Sequence, residues 1–203
     1  MTAPLIPMSR TAPDARGVFE AARQVAMGHL LVYPSDTVYG IACDACDPGA
    51  VKRVRRLKGC GVPRPFIVIV ESLEAALALA APLPEHAVAR MRSSWPGPVT
   101  LVLPASSAAP AHVLSGDGCI ALRVPADPLS QALLSACRIP LVSTSANPAG
   151  GRVPLSLDDI PRELLAGCDL VLDGGALPPA SPSAVLRLSG DGFEQIRARA
   201  EEP

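Results

Sequence analysis

Aromatic side chains are scarce in this chain: Phe, Trp and Tyr together make up 3% of it, although 49% of its residues are hydrophobic. A core must therefore be built from Ala, Val, Leu and Ile, which suits α/β layers better than an aromatic-rich sandwich. Net charge is nearly absent as well, at −1. The molecule as a whole then exerts no pull on nucleic acid or an anionic membrane, and any anion site has to arise from local clustering. No apolar run approaches the length that spans a bilayer. The opening residues Met1-Thr-Ala-Pro-Leu-Ile-Pro-Met-Ser-Arg10 lack the continuous apolar stretch of a leader, and their prolines predict a loose arm over 1–12. These absences point to a cytoplasmic protein with no membrane partner.

Internal repeats and the GxGxxG, P-loop and HExxH signatures are missing too, which removes the usual nucleotide and zinc fingerprints. Six cysteines, at 43, 46, 60, 119, 137 and 168, are scattered among predicted strands, helices and loops, so mostly free thiols are expected. Cys43-Asp-Ala-Cys46 has the spacing of half a zinc site, but no second CxxC or HxxxH pair answers it, and no metal site is expected.

What is present is enough chain, 203 residues, for one domain with a substantial core, expected over 13–203. Its organising stretch is Leu30-Leu-Val-Tyr-Pro-Ser-Asp-Thr-Val-Tyr-Gly40. The apolar run predicts a buried strand, and Pro34 ends the ladder so that Ser35, Asp36 and Thr37 emerge on a fixed loop at a sheet edge. Two roles fit that loop, a binding group or a turn that only closes the strand. Capping residues predict helices from Asp14 to Met27, from Asp47 onward, from Ser72 to about Ala80, from Pro84 to about Arg92, and from Asp127 to Cys137. Further strands are expected at Phe66–Val70, Val99–Leu103, Cys119–Pro125, Ile139–Ser145, Asp169–Asp173, Ser183–Leu188 and Phe193–Ala198, with a short helix near Ser156–Leu165. The segment Ser106–Gly118, small, polar and proline-containing, reads as a surface loop with freedom to move.

Three features carry chemistry. Lys58 stands where its helix gives way to the loop Gly59-Cys60-Gly61-Val62-Pro63-Arg64-Pro65, and a lysine and an arginine on a glycine-opened loop can close on an anion. Arg123 sits in a mostly apolar strand and needs an anionic partner or an exit to water. Ser143, Ser145 and Asn147, followed by Gly150 and Gly151, form a polar cradle that a ligand can approach, although the same residues serve ordinary loops.

Taken together, Tyr33-Pro-Ser-Asp-Thr-Val-Tyr-Gly40, Lys58-Gly59 with Pro65–Val70, Trp95-Pro-Gly-Pro-Val-Thr-Leu-Val-Leu103, Leu122-Arg-Val-Pro125 and Val142-Ser-Thr-Ser-Ala-Asn147 resemble the YrdC-like family of threonylcarbamoyl-AMP synthases, in matching order across about Phe19–Arg197. The resemblance, to the short single-domain bacterial type, implies an α/β fold: a twisted mixed sheet with flanking helices and a concave, positively lined cavity. It also implies a reaction, the joining of L-threonine, bicarbonate and ATP (with Mg²⁺) into threonylcarbamoyl-adenylate and pyrophosphate. The adenylate would feed the machinery that modifies tRNA. Carried over by position, Thr37, Arg123, Ser143 and Ser183 are expected to hold threonine, and Lys58, Arg64, Cys119, Ser145, Asn147 and Arg197 to meet ATP, with Lys58 and Arg64 the catalytic pair. The family's Lys-x-Arg-Pro pattern has Cys60 and Gly61 here, and a thiol cannot neutralise phosphate, so Arg64 is expected to compensate. Ala184 after Ser183 and Arg199 after Arg197 are further departures. The alternative is a YrdC-like paralogue that binds RNA or a nucleotide without making the adenylate.

Overall fold

The computed structural model describes residues 3–59 and 65–198. Among the described residues ten strands form one mixed sheet: β1 (Leu5–Pro7), β2 (Leu31–Pro34), β3 (Tyr39–Asp44), β4 (Ile67–Ile69), β5 (Val99–Pro104), β6 (Cys119–Arg123), β7 (Leu141–Ser145), β8 (Leu170–Asp173), β9 (Ala184–Ser189) and β10 (Gly192–Arg197). Their spatial order is β1-β8-β2-β3-β7-β4-β6-β5-β9-β10. The α-helices described beside it are α1 (Ala15–Ala26), α2 (Pro48–Leu57), α3 (Leu73–Leu79), α4 (Glu85–Ser94), α5 (Pro128–Cys137) and α6 (Arg162–Ala166).

The helix starts are those their caps dictate. Asp14, Asp47, Ser72 and Asp127 each accept a backbone N–H of the following first turn, satisfying donors that the helix leaves without partners. The strands alternate between two cores. Leu31 and Tyr33 pack with Val18, Ala21 and Val25 of α1 and with Leu129 and Leu133 of α5. Leu30 and Val32 join the second cluster with Val54, Leu101 and Leu122. A sheet covered on both faces has no use for polar alternation, which is why β2 reads as a continuous apolar run.

The structure corrects three expectations. Within the segment expected to be a loose arm, Leu5–Pro7 form an edge strand: β1 pairs in parallel with β8, Leu5 opposite Val171, and Met8 behind it is buried. Strand β3 was not anticipated, and β2 with β3 makes an antiparallel hairpin deep inside the sheet, not at its edge. Periodicity gave no sign of it because Tyr39–Cys43 is buried on both faces and carries no alternation. The segment 106–118 is pinned: His112 Nε2 lies 2.7 Å from the Ala45 carbonyl oxygen, Arg55 donates to the His112 carbonyl oxygen, and Val113 is fully buried. Trp95 has the structural role expected of it, buried with its Nε1–H donated to the Val99 carbonyl oxygen at 2.7 Å. Among the described residues no helix is long and apolar enough to cross a membrane.

Candidate functional site

The hairpin turn after β2 supplies the first part of the site. Ser35 Oγ donates to the Val38 carbonyl oxygen at 2.7 Å and accepts from the Thr37 and Val38 backbone N–H groups, both at 3.2 Å. Ser35 therefore closes the turn, and the same closure leaves Asp36 and Thr37 to line a cavity. The turn-closing role weighed for this loop is thus seen in Ser35, and its neighbours Asp36 and Thr37 face the cavity.

The cavity holds about 350 Å³ and lies among the ends of β2, β6, β7 and β10 and the start of β9. Arg123, last residue of β6, projects into it with its side chain only 7% exposed. Its Nε–H donates to the Gly97 carbonyl oxygen at 2.9 Å, and its Nη2 pairs with Asp36 Oδ2. Asp36 is thus the anionic partner that an arginine in an apolar strand required. The other Asp36 oxygen, Oδ1, is buried and has no hydrogen-bond partner; the same holds for Ser130 Oγ, also from a lining residue, and for Asp127 Oδ2 close by.

Ser143 and Ser145 come from β7, which pairs with β3 so that Gly40 faces Ser145. A Cβ on Gly40 would stand 3.2 Å from Tyr33 Cε1 and 3.3 Å from the Thr144 carbonyl oxygen. Glycine here lets the buried Tyr33 ring pass and place its hydroxyl 2.7 Å from Ser143 Oγ. Burial is the main reason the Tyr33 phenol is pushed far above its usual pKa, so it acts as a neutral hydrogen-bonding group.

Lys58, the C-cap of α2, buries its side chain and donates from Nζ to the carbonyl oxygens of Ser145 at 2.7 Å and Asn147 at 2.8 Å. Ser145 Oγ donates to Asn147 Oδ1, and Asn147 Nδ2 to the Gly151 carbonyl oxygen, both at 2.5 Å. The 145–151 cradle is therefore folded around a fixed ammonium.

The last part comes from β9 and β10. Arg197 donates through Nε and Nη2 to the Ser183 carbonyl oxygen at 3.0 and 2.9 Å, and Ser183 Oγ lies 2.9 Å from Thr100 Oγ1. A register shift between Gln195 and Arg197 makes a bulge at Ile196, the device by which a strand re-aims one side chain. Burial, then the like charge of Arg123, holds the Arg197 guanidinium below its usual pKa. Two cations that disfavour each other, with Lys58 in the same hollow, make an anion there favourable.

Of the residues singled out in the sequence, Thr37, Lys58, Arg123, Ser143, Ser145, Asn147, Ser183 and Arg197 all line this one cavity. Cys119 does not: it sits at the opposite end of β6 from Arg123, its Sγ 3.5 Å from Arg187 Nη2 in a cluster with Asp117. Strand geometry explains the separation, because four residues along a strand is roughly 13 Å. Arg64, Cys60, Gly61 and Arg199 lie outside the described residues. Tyr33, Thr100 and Ser130 carried no predicted role, and Asp36 only the general one of its loop. Asp36 stood in the organising stretch, and Arg123, expected to need an anionic partner or an exit to water, was the signal that could have linked the two.

Among the described residues no cysteine lines the cavity. Five free cysteines are described, and burial raises the pKa of every one, to about 12 for Cys43 and Cys168. Among the described residues no group of three or more His, Cys, Asp and Glu could hold a metal ion. The arrangement can bind anions, orient hydroxyls and hold a small polar molecule.

Comparison with known proteins is consistent with that chemistry. The Sua5/YciO/YrdC family model, described as telomere recombination, matches residues 23–198. A threonylcarbamoyl-AMP synthase of Halorhodospira halophila is 37% identical over 167 residues, 81% of this chain and 87% of the relative. One of Pyrococcus abyssi is 33% identical over 169 residues, 83% of this chain but 50% of the relative. The chain thus spans about half the length of the archaeal protein. Among solved structures, E. coli YciO superposes with a TM-score of 0.90 at 26% identity, covering 98% of this chain and 97% of that one. P. abyssi Sua5 complexed with L-threonine superposes at 0.88 with 30% identity, covering 96% and 57%.

Proposed function

This chain belongs to the Sua5/YciO/YrdC family, and from that premise we propose that it is a threonylcarbamoyl-AMP synthase working in the cytoplasm on L-threonine, bicarbonate and ATP. The observation that carries the reading is the convergence of Thr37, Arg123, Ser143 and Ser183 with Lys58, Ser145, Asn147 and Arg197 in one cavity.

Each group has a use in that chemistry. Arg123, oriented by the Gly97 carbonyl, offers its guanidinium to the threonine carboxylate. The hydroxyls of Thr37, Ser143 and Ser183 provide donors and acceptors for a small polar side chain. The threonine nitrogen bonds to the carbonate carbon, water leaves, and an oxygen of the carbamate then attacks the α-phosphorus with pyrophosphate departing. These steps call for positioning and charge neutralisation more than a strong side-chain base. Lys58 and Arg197 supply cations for the phosphates, Ser145 and Asn147 hydrogen bonds to the nucleotide, and Arg64 is proposed to add a second catalytic cation from the loop beyond Lys58. Mg²⁺ would arrive on the triphosphate as its counter-ion and neutralise part of its charge. The product would pass to the machinery that attaches threonylcarbamoyl groups to tRNA.

A second reading has a specific observation behind it, the close superposition on YciO over nearly the whole of both chains. Under it the protein is a paralogue that binds RNA or a nucleotide without forming the adenylate, and Cys60 in place of arginine favours this. Pyrophosphate release separates the two. Release from ATP that requires both threonine and bicarbonate supports the synthase; no release with all three substrates present overturns it.

A further inference from the structure

Arg123 and Asp36 place a positive and a negative group side by side in the wall of the cavity, with side chains 7% and 16% exposed. Asp36 is the single carboxylate among the described lining residues. One of its oxygens is committed to Arg123, while the other, Oδ1, is buried without a hydrogen-bond partner. A buried carboxylate oxygen left unsatisfied is costly, and the missing element is a donor. Meanwhile Arg123 spends Nε on Gly97 and Nη2 on Asp36, and a guanidinium has further N–H groups to give.

A molecule that completes both residues carries an anion for Arg123 and an N–H donor for Asp36 a few ångströms apart. That is the chemistry of an α-amino acid zwitterion. We propose that Asp36 is the specificity-determining acceptor for the substrate's amino group, so that the Asp36–Arg123 pair accepts amino acids and rejects simple carboxylates. The proposal rests on the reading of this cavity as an amino-acid site. A partial rotation about Cβ–Cγ, a broad torsion, tilts Oδ1 toward the ligand while Oδ2 stays within reach of the Arg123 guanidinium. A carboxylate without an amino group meets Asp36 as a like charge and gives Oδ1 at most a neutral donor in place of a charged one, so rejection is built into the site as well as attraction. Selectivity is thereby settled before any bond is made.

Calorimetric titration without nucleotide tests this. Wild-type protein and Asp36→Asn are titrated with L-threonine and with its hydroxy analogue, 2,3-dihydroxybutanoate of the same configuration, in which a hydroxyl replaces the amine. The wild type is expected to favour threonine by roughly tenfold or more, the effect of one charged hydrogen bond. Asp36→Asn is expected to lose most of that preference by weakening threonine while leaving the hydroxy acid unchanged or tighter. Equal weakening of both ligands would reduce Asp36 to a prop for Arg123 and overturn the proposal. Should the variant fail to fold, the wild-type comparison decides alone: equal affinity for the two ligands overturns it. A wild type that binds neither ligand removes the amino-acid reading itself, and the proposal with it.

Discussion

Lys58 Nζ donates to the carbonyl oxygen of Asn147 at 2.8 Å, tying the end of a helix to a loop 89 residues further along the chain. With a second bond to Ser145 at 2.7 Å, the ammonium is a structural centre as well as a charge. Its desolvation is offset by two aligned carbonyl dipoles, and those carbonyls in turn fix where Ser145 and Asn147 present their side chains.

Replacing Lys58 by Met keeps the length of the side chain and removes these donors. Both carbonyls then lose a charge-assisted bond, and stability is expected to fall by about 1.5–3 kcal/mol, read from urea unfolding. Pyrophosphate release should fall at least tenfold. An unchanged urea midpoint would mean that the carbonyls find water instead.

Arg197→Ala removes both bonds to the Ser183 carbonyl, and with them the placement of the Ser183 hydroxyl. The KM for threonine should therefore rise roughly tenfold together with the KM for ATP. A rise for ATP alone would show that Arg197 serves only the phosphates.

Tyr33→Phe deletes the hydroxyl held 2.7 Å from Ser143 Oγ while keeping the buried ring. The stability loss is expected to be about 0.5–1.5 kcal/mol, and threonine binding should weaken because Ser143 becomes free to rotate. Combining Tyr33→Phe with Ser143→Ala should cost less than the sum of the two, as coupled partners do.

Asp127 caps α5 through Oδ1 while Oδ2 stays unpartnered, and burial raises its carboxyl pKa above the usual 3.8. The folded protein then holds this proton more tightly than the unfolded chain. Stability is lost as pH rises from 3.8 through the raised value, and the penalty is complete above it. Asn retains the cap and does not titrate, so Asp127→Asn should gain stability over the wild type at neutral pH, and that advantage should shrink as pH falls through the raised value toward 3.8. Urea unfolding across pH checks this; a difference independent of pH would assign the effect to hydrogen bonding instead.

Local rules were legible in the residues. The caps Asp14, Asp47, Ser72 and Asp127 bond to backbone within three positions of themselves, and the apolar runs became strands because burial on both faces suits such side chains. Arg123 announced that it needed an anionic partner or an exit to water. The order of Thr37, Lys58, Arg123, Ser143 and Asn147 along the chain carried the family pattern, and with it the expectation of one shared site.

What sheet order alone decided is which of these groups meet. Asp36 finds Arg123 across 87 positions and Tyr33 finds Ser143 across 110. Thr100 reaches Ser183 because β5 and β9 run in parallel, a pairing no short-range signal encodes. The bulge that turns Arg197 inward, the hairpin that hides β3 and the pairing of β1 with β8 belong to the same class. Caps and turns are fixed by hydrogen bonds within a few residues, whereas register between distant strands is set by how whole faces pack. The chemistry of each residue was therefore present in the sequence, and its partner was a consequence of the fold.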